Sequence, residues 1–222
     1  VHRLTAGGCK AGGCSALCGA ASLIADMIGV QKAGHIRTKL TQMAMTAETV
    51  YGLSLASGVE GFQHPSGFWI PNPLMSHTCK YTCTQMPFEA VRLARDILAG
   101  FGETAPSELD MRSKEVGELC QKAFNPGNPA YTAMDRLRAG RFIEHMARGS
   151  NWTAMALHGG GNQEASTVMA RSFTDWDYLK NLVRAATGME KDPARVDEII
   201  GTIGRRQGRI CTNRDLPQSG NE

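Results

Sequence analysis

From Lys10 to Ile28 the run KAGGCSALCGAASLIADMI is small, apolar and nearly free of β-branched residues. It reads as a buried helix whose small side chains admit close approach of a neighbour. From Lys32 to about Val59, Ile36, Leu40, Met43, Ala47, Val50 and Ser54 recur at intervals of three and four, which predicts a long amphipathic helix. The glycines and prolines of GFQHPSGFWIPNP, Gly61 to Pro73, then predict a loop carrying a hydrophobic plug, Phe68-Trp69-Ile70. A third long helical pattern runs from Leu74 to about Phe101, with Pro87 as a kink or break. Its second half, FEAVRLARDILAGF, is strongly amphipathic.

The pattern then lapses. After GETAPSELD the chain reads as irregular until Glu118, and NPGNPAYT closes that segment, with Thr132 placed to cap a helix over Ala133 to Ala147. SNWTAMALHGGGNQEA predicts a helix broken by three glycines at 159–161 that restarts at about Gln163. Another helix spans Asp175 to Ala186, stopped by Gly188. Beyond Asp192 come one short helix, VDEIIGTI, and a polar tail. No segment alternates with period two and none repeats. The expected fold is all-α, a bundle of long helices over residues 1–190, with a short helix and tail over 191–222.

A chain of 222 residues suits one domain, or a domain with a tail, and is long enough to bury a core. A net charge of +3, dispersed along the chain and without recognisable nucleic-acid-binding motifs, argues against a nucleic-acid partner. The apolar runs fall far short of the roughly 20 residues a membrane span needs, so no membrane partner is expected. The start lacks the charged-then-apolar pattern of a leader. It begins with Val rather than Met, as a processed, truncated or longer chain would. Seven cysteines, an odd number scattered among helical patterns, suit a reducing cytoplasm better than a disulfide framework. Eleven methionines suit an adaptable helical core.

The candidate chemistry starts in VHRLTAGGCKAGGC, where His2 precedes Cys9 in a glycine-rich stretch read as a loop. Imidazole and thiolate together suit zinc or an iron–sulfur cluster. By spacing alone a frayed terminus and a small buried thiol explain the pair better than ligation does, because two ligands do not complete a site. Cys14 and Cys18, like Cys79 and Cys83, stand four apart on one helical face. Both pairs lie in apolar runs, where free thiols are ordinary core residues. HGGG at 158–161 reads equally as a helix break or as a glycine loop offering backbone N–H groups to an anion or carbonyl, but not as an esterase oxyanion loop, since no strand precedes it and no GxSxG exists. DILAG at 96–100, followed by TAPSE, ends a helix in small residues and reads as a C-cap or a place where phosphates approach backbone. Asp96 and Glu108 are candidate proton carriers, and Arg205, Arg206 and Arg209 read as a solvated tail.

Taken in order, HRLTAGGCKAGGC, IADMIGVQKAGHIRTKL, the Cys79-Lys80 pair, PFEAVRLARDILAG, TAPSE and HGGGNQEA make the chain resemble the 4-hydroxybutyryl-CoA dehydratase/vinylacetyl-CoA isomerase family. That family is related to 4-hydroxyphenylacetate 3-hydroxylases and to acyl-CoA dehydrogenases. The resemblance covers residue 1 to about 190 and only the C-terminal, helical half of the family. It implies an FAD and a 4Fe–4S cluster held by three cysteines and one histidine, with His2 and Cys9 matching the family's H-x6-C pair. The family's C-x3-C pair lies in its N-terminal half, so Cys79 and Cys83 are not that pair. The remaining ligands, and most of the flavin site, would come from an N-terminal half or a partner chain.

Asp96, Ile97, Leu98, Ala99 and Gly100 match the helix end that closes over FAD, with Leu98 and Ala99 larger than the family's usual residues there. The implied reaction removes water from a 4-hydroxyacyl-CoA-like molecule, with His2 as ligand and base and Cys9 as ligand, in a homotetramer. Two positions depart: Ala6 stands for a tyrosine and Met155 for a glutamate, both proton-handling groups in the family. A flavin-dependent aromatic hydroxylase and a non-catalytic assembly subunit are the other two readings.

Overall fold

The computed structural model describes residues 2–148 and 162–202, with side chains described from residue 6 onward, residue 103 excepted. Two long helices, α1 (His2–Met27) and α2 (Gly34–Val59), lie side by side. A two-residue antiparallel pair follows, β1 (Phe62–Gln63) with β2 (Trp69–Ile70), in register Phe62↔Ile70. Then come α3 (Pro73–Cys83), α4 (Met86–Leu98), α5 (Phe101–Thr104), α6 (Glu108–Arg112), α7 (Gly117–Ala123) and α8 (Ala133–Ala147). Past the undescribed stretch lie α9 (Gln163–Phe173), α10 (Trp176–Ala186) and α11 (Pro193–Gly201). The all-α expectation holds, the small β pair aside.

The main core forms where α1, α2, α4 and α8 meet. Leu17, Ala21 and Ile24 of α1 pack with Met43 of α2, Ala90, Leu93 and Ile97 of α4, and Leu137 and Ile143 of α8. Each large aliphatic side chain buried there contributes about 1.5–3 kcal/mol relative to exposure. On α4 the amphipathic reading is borne out: Val91, Ala94 and Leu98 face in, while Arg92, Arg95 and Asp96 face out. Phe101 of α5 lies against α8, tilted on Phe124 at 4.9 Å between centroids, with the Arg136 guanidinium 5.0 Å above its ring. That stack pins the turn after α4 to the bundle.

Three local expectations are corrected. The glycine-rich opening is helix from His2 onward, not a loop. Glycine weakens a helix interior by about 0.5–1 kcal/mol each, but at Gly7 it allows a backbone contact that no other residue fits. An added Cβ there would lie 2.6 Å from Ser54 Cβ. Phe68 and Trp69 are 75% and 58% exposed, so the hairpin is not a plug; the Trp69 indole N–H donates to Gly58 O at 3.0 Å and lays the ring along the surface. The irregular stretch expected between Asp110 and Glu118 shrinks to 113–116, because α6, started by the Ser107–Asp110 capping box, runs on to Arg112 and α7 begins at Gly117.

Elsewhere the sequence signals hold. The Leu74–Phe101 pattern breaks at Thr84 and Gln85, with Pro87 in the first turn of α4, where its missing N–H costs nothing. Thr132 caps α8 at the expected residue, and α9 restarts at Gln163 behind the Asn162 cap.

Candidate functional site

His2 and Cys9 stand on one continuous helix. Seven residues at about 100° each fall roughly 20° short of two full turns, so both positions share a face about 10 Å apart along the axis. The His2 side chain lies outside the described ones. Cys9 is a free, exposed thiol, turned away from the core that Leu17 and Ile24 fill. Its surroundings are open: Cβ atoms added at Gly8 or Gly12 would meet nothing within 4 Å. An accessible thiol two turns from an imidazole on the same face fits two ligands of a four-ligand cluster. Among the described residues no set of three or more His, Cys, Asp or Glu side chains could hold a metal ion. Further ligands would have to come from elsewhere.

The two spaced pairs belong to the core, as their apolar context implied, with Cys18 partly buried against it. Cys14, Cys79 and Cys83 are fully buried. Burial, reinforced by the neighbouring Cys83 and Cys18, pushes the Cys14 thiol up to about 12, and burial raises Cys18 as well. In the second pair a hydrogen bond between the thiols lowers Cys79 and raises Cys83, with burial adding to the rise at Cys83. A metal binds thiolate, so Cys14, Cys18 and Cys83, held protonated in this way, are poor ligands.

Two lysines are also fully enclosed, Lys10 at 1% and Lys80 at 0% exposure. Burial lowers Lys10, against the opposing pull of Cys83, Cys9 and Cys14. Lysine is almost never fully buried without partners, so both positions are constrained by their surroundings. The sequence assigned neither a role of its own, although Lys80 stands in the Cys79-Lys80 pair of the family resemblance and Lys10 likewise directly follows a cysteine.

The 96–100 stretch divides sharply. Ile97 and Leu98 are 2% and 5% exposed and belong to the core, so their side chains cannot reach a cofactor; only their backbone could. Asp96, Ala99 and Gly100 are exposed. Ala99 (φ 54°) and Gly100 (φ 78°) are consecutive left-handed residues, and the Ala99 N–H closes α4 on Asp96 O at 3.2 Å. Left-handed alanine is costly, and the turn leaves a nearly side-chain-free surface on which a flat or extended ligand could lie close to backbone. That fits a flavin contact. The Asp96 carboxylate is ion-paired with Lys39 of α2. That hydrogen-bonded ammonium, aided by Arg92 and His35, holds Asp96 below the usual carboxylate range.

Glu108 is tied to Arg112 on the same short helix at 2.5 Å, away from the other candidates in sequence and on a separate element. Ala6 is 1% exposed, so the position matched to a family tyrosine points into the bundle. Met155, the 158–161 turn and the three tail arginines lie outside the described residues. Two open clefts, of about 570 Å³ between α10 and α11 and about 490 Å³ between α1 and α8, are lined by none of the candidate residues. No described helix is long and apolar enough to cross a membrane.

The 4-hydroxyphenylacetate 3-hydroxylase C-terminal (HpaB) family model matches residues 1–188. The chain is 34% identical over 200 residues to the 4-hydroxybutyryl-CoA dehydratase/vinylacetyl-CoA-Delta-isomerase of Clostridium aminobutyricum, a match covering 85% of this chain and 41% of that protein. Among solved structures, an oxygen-tolerant archaeal 4-hydroxybutyryl-CoA dehydratase from N. maritimus superposes with a TM-score of 0.76 at 34% identity, over 82% of this chain and 37% of that one. The FAD-complexed oxygenase component of 4-hydroxyphenylacetate 3-monooxygenase superposes with a TM-score of 0.68 at 19% identity, over 78% and 36%, which is a likeness of fold. The chain thus spans 41% or less of the length of these relatives.

Proposed function

The chain belongs to the 4-hydroxyphenylacetate 3-hydroxylase C-terminal family, and from that membership we propose that it is the C-terminal part of a flavin- and 4Fe–4S-dependent dehydratase and isomerase acting on a 4-hydroxyacyl-CoA-like substrate. The observation that carries this reading is the 34% identity to the clostridial dehydratase. His2 and Cys9 on one helical face, with Cys9 open to the outside, support it. In this reading an N-terminal half or partner chain supplies two further cysteine ligands and most of the flavin site, the assembly is a homo-oligomer, and the compartment is cytoplasmic. The small, uncharged outer side of α1 (Gly8, Gly12, Ser15, Ala16, Gly19) supports such a partner, since another chain can approach the helix closely there.

When bound, the flavin supplies one-electron chemistry and the cluster a Lewis-acidic iron for the departing hydroxyl. The chain's own residues hold, orient and exclude. Cys9 contributes a thiolate ligand. His2 would be the second ligand and would supply the imidazole that takes the proton next to the carbon that loses hydroxide. Asp96, Ala99 and Gly100, with the backbone of Ile97 and Leu98, form the surface against which the flavin closes. The packed α1–α2–α4–α8 core backs α1 and α4, the helices that carry Cys9 and the 96–100 stretch.

Ala6 favours a second reading. Its methyl is enclosed where the family resemblance places a tyrosine, and a methyl group cannot carry a proton. Either the acyl substrate differs, with its proton handled by another group, or the chain is a non-catalytic assembly subunit.

Iron, sulfide and flavin content, measured anaerobically on the complex purified from its source beside a His2→Ala, Cys9→Ala double variant, separates the readings. About four irons per active site with flavin, lost in the variant, supports the dehydratase. Flavin without iron points to the aromatic hydroxylase side of the family, and neither cofactor to an assembly subunit.

A further inference from the structure

Helices α10 and α11 pack mainly on each other. The Tyr178 and Thr202 hydroxyls meet at 3.1 Å between them, and no residue of either helix enters the two hydrophobic core clusters. On the outward side of α10, Trp176, Leu179 and Val183 stand three and four apart and so share one face. They are 53%, 43% and 57% exposed. A helix of 11 residues is marginal in water and draws its stability from packing of its apolar side, yet this side is bare. The Trp176 indole N–H already donates to Arg171 O at 3.1 Å, so covering the ring strands no hydrogen bond. A row of large apolar side chains whose one polar group is satisfied is a docking face.

The row itself points to its occupant. It runs from a large residue, Trp176, through Leu179 at the middle to a small one, Val183. Charge runs the same way, with Asp177 near the start of α10 and Arg184 toward its end. Both groups are exposed: Asp177 holds Lys180 at 2.5 Å and Arg184 donates to Asn181 Oδ1 at 3.1 Å, and a carboxylate and a guanidinium can each make further bonds. Turned end for end, a second row fits the first, Trp176 over the small valine, leucine on leucine, acid beside guanidinium, with the helix dipoles opposed. We propose that α10 pairs antiparallel with α10 of a second copy of this chain, about a two-fold axis at Leu179. An isologous contact must be self-complementary, and this row is so in both size and charge. One helix on another falls short of the roughly 800 Å² per partner of a stable interface, so the contact joins copies within a larger assembly. The proposal rests on the homo-oligomer of the functional reading, and not on its flavin, cluster or substrate.

The test is the oligomeric state of the complex purified from its source, followed by sedimentation through a dilution series, with disulfide cross-linking beside it. Leu179→Asp sets carboxylates on both sides of the axis and should raise the subunit dissociation constant about ten- to hundredfold. Asp177→Arg and Arg184→Asp should each weaken the assembly, since each brings like charges together across the axis, and the two combined should restore it. Leu179→Cys should join two copies under mild oxidation, because residues at the axis lie within disulfide reach. Val168→Cys, exposed on α9, should not. A monomeric parent, or an assembly unmoved by Leu179→Asp, overturns the proposal. Weakening by Leu179→Asp without a cross-link through Leu179→Cys, or without rescue by the combined charge exchange, means that a different chain covers α10, and the proposal falls as well. Iron, sulfide and flavin content of the unsubstituted complex judges the functional reading separately. Cofactors present with no self-contact sink this proposal alone, whereas a self-contact without cofactors sinks only the dehydratase.

Discussion

On the side of α1 that faces α2 and α3, a Cβ at Gly7 would lie 2.6 Å from Ser54 Cβ and 2.8 Å from Cys79 Sγ. On the opposite side, Cβ atoms at Gly8, Gly12 and Gly19 would meet nothing within 4 Å. One residue type thus serves two ends on one helix. At Gly7 it lets three helices approach more closely than any side chain would allow. At the outer positions it contributes no contact and only the entropy cost of glycine in a helix. A helix side open to water ordinarily carries charge, yet between Gly8 and Ala25 the only charged residue is Lys10, which is turned inward and 1% exposed. The outer side of α1 therefore has neither the contacts of a core nor the charges of a surface.

The largest effect should come from breaking the packed side. Gly7→Val places branched carbons against Ser54 Cβ and Cys79 Sγ, atoms held close to their own helix backbones. Overpacking of this kind costs about 1–3 kcal/mol, occasionally more, and the short anchored neighbours put Gly7 at the upper end. Chemical denaturation should show a lower midpoint with an unchanged slope. A midpoint within error of the parent would mean that the α1–α2–α3 contact is looser than described.

The open side should respond with the opposite sign. Gly12→Ala replaces glycine by the best helix former, with no neighbour to strain, and should stabilise the chain by about 0.5–1 kcal/mol. The same substitution in the complex purified from its source sharpens the contrast. A gain that persists there means that this side of α1 faces water in the assembly. A loss means that another chain packs against Gly12. Destabilisation of the chain by itself would contradict the open geometry.

What the sequence conveyed about α1 follows the same division. Spacing located the apolar side, Leu17, Ala21 and Ile24, because burial repeats with the helical period. Glycine content suggested a loop over residues 2–9, because propensity registers the entropy cost and is blind to a partner helix 2.6 Å away. Thr132, by contrast, announced α8 to the residue, since a capping box is local and complete in four positions. The candidate site was legible in part. His2 and Cys9 stood out by residue type, whereas the Lys39–Asp96 ion pair did not, because it forms only where α2 lies beside the end of α4. Burial of Ile97 and Leu98 was equally hidden, as the apolar side of α4 and the DILAG string overlap in sequence and part only in three dimensions.

The smallest predicted effect separates α1 from α8 by pH. Asp135 accepts from Thr132 Oγ1 at 2.7 Å and from the Thr132 N–H at 2.9 Å. These hydrogen bonds hold its carboxyl below the usual carboxylate range, as the Ser107 bonds do for Asp110. A carboxyl lowered in the folded state stabilises it above the unfolded pKa of about 4 and loses that contribution as pH falls through the folded value. The first turn of α1 has no acidic residue and its outer side has no carboxylate to titrate. Amide exchange between pH 6 and pH 3, corrected for intrinsic rates, should therefore show protection falling at 133–136 while residues 15–20 of α1 keep theirs until the chain unfolds as a whole. Asp135→Asn, which cannot ionise, should flatten the response at α8. If 133–136 still lose protection with acid in that variant, the capping carboxylate is not the group that titrates.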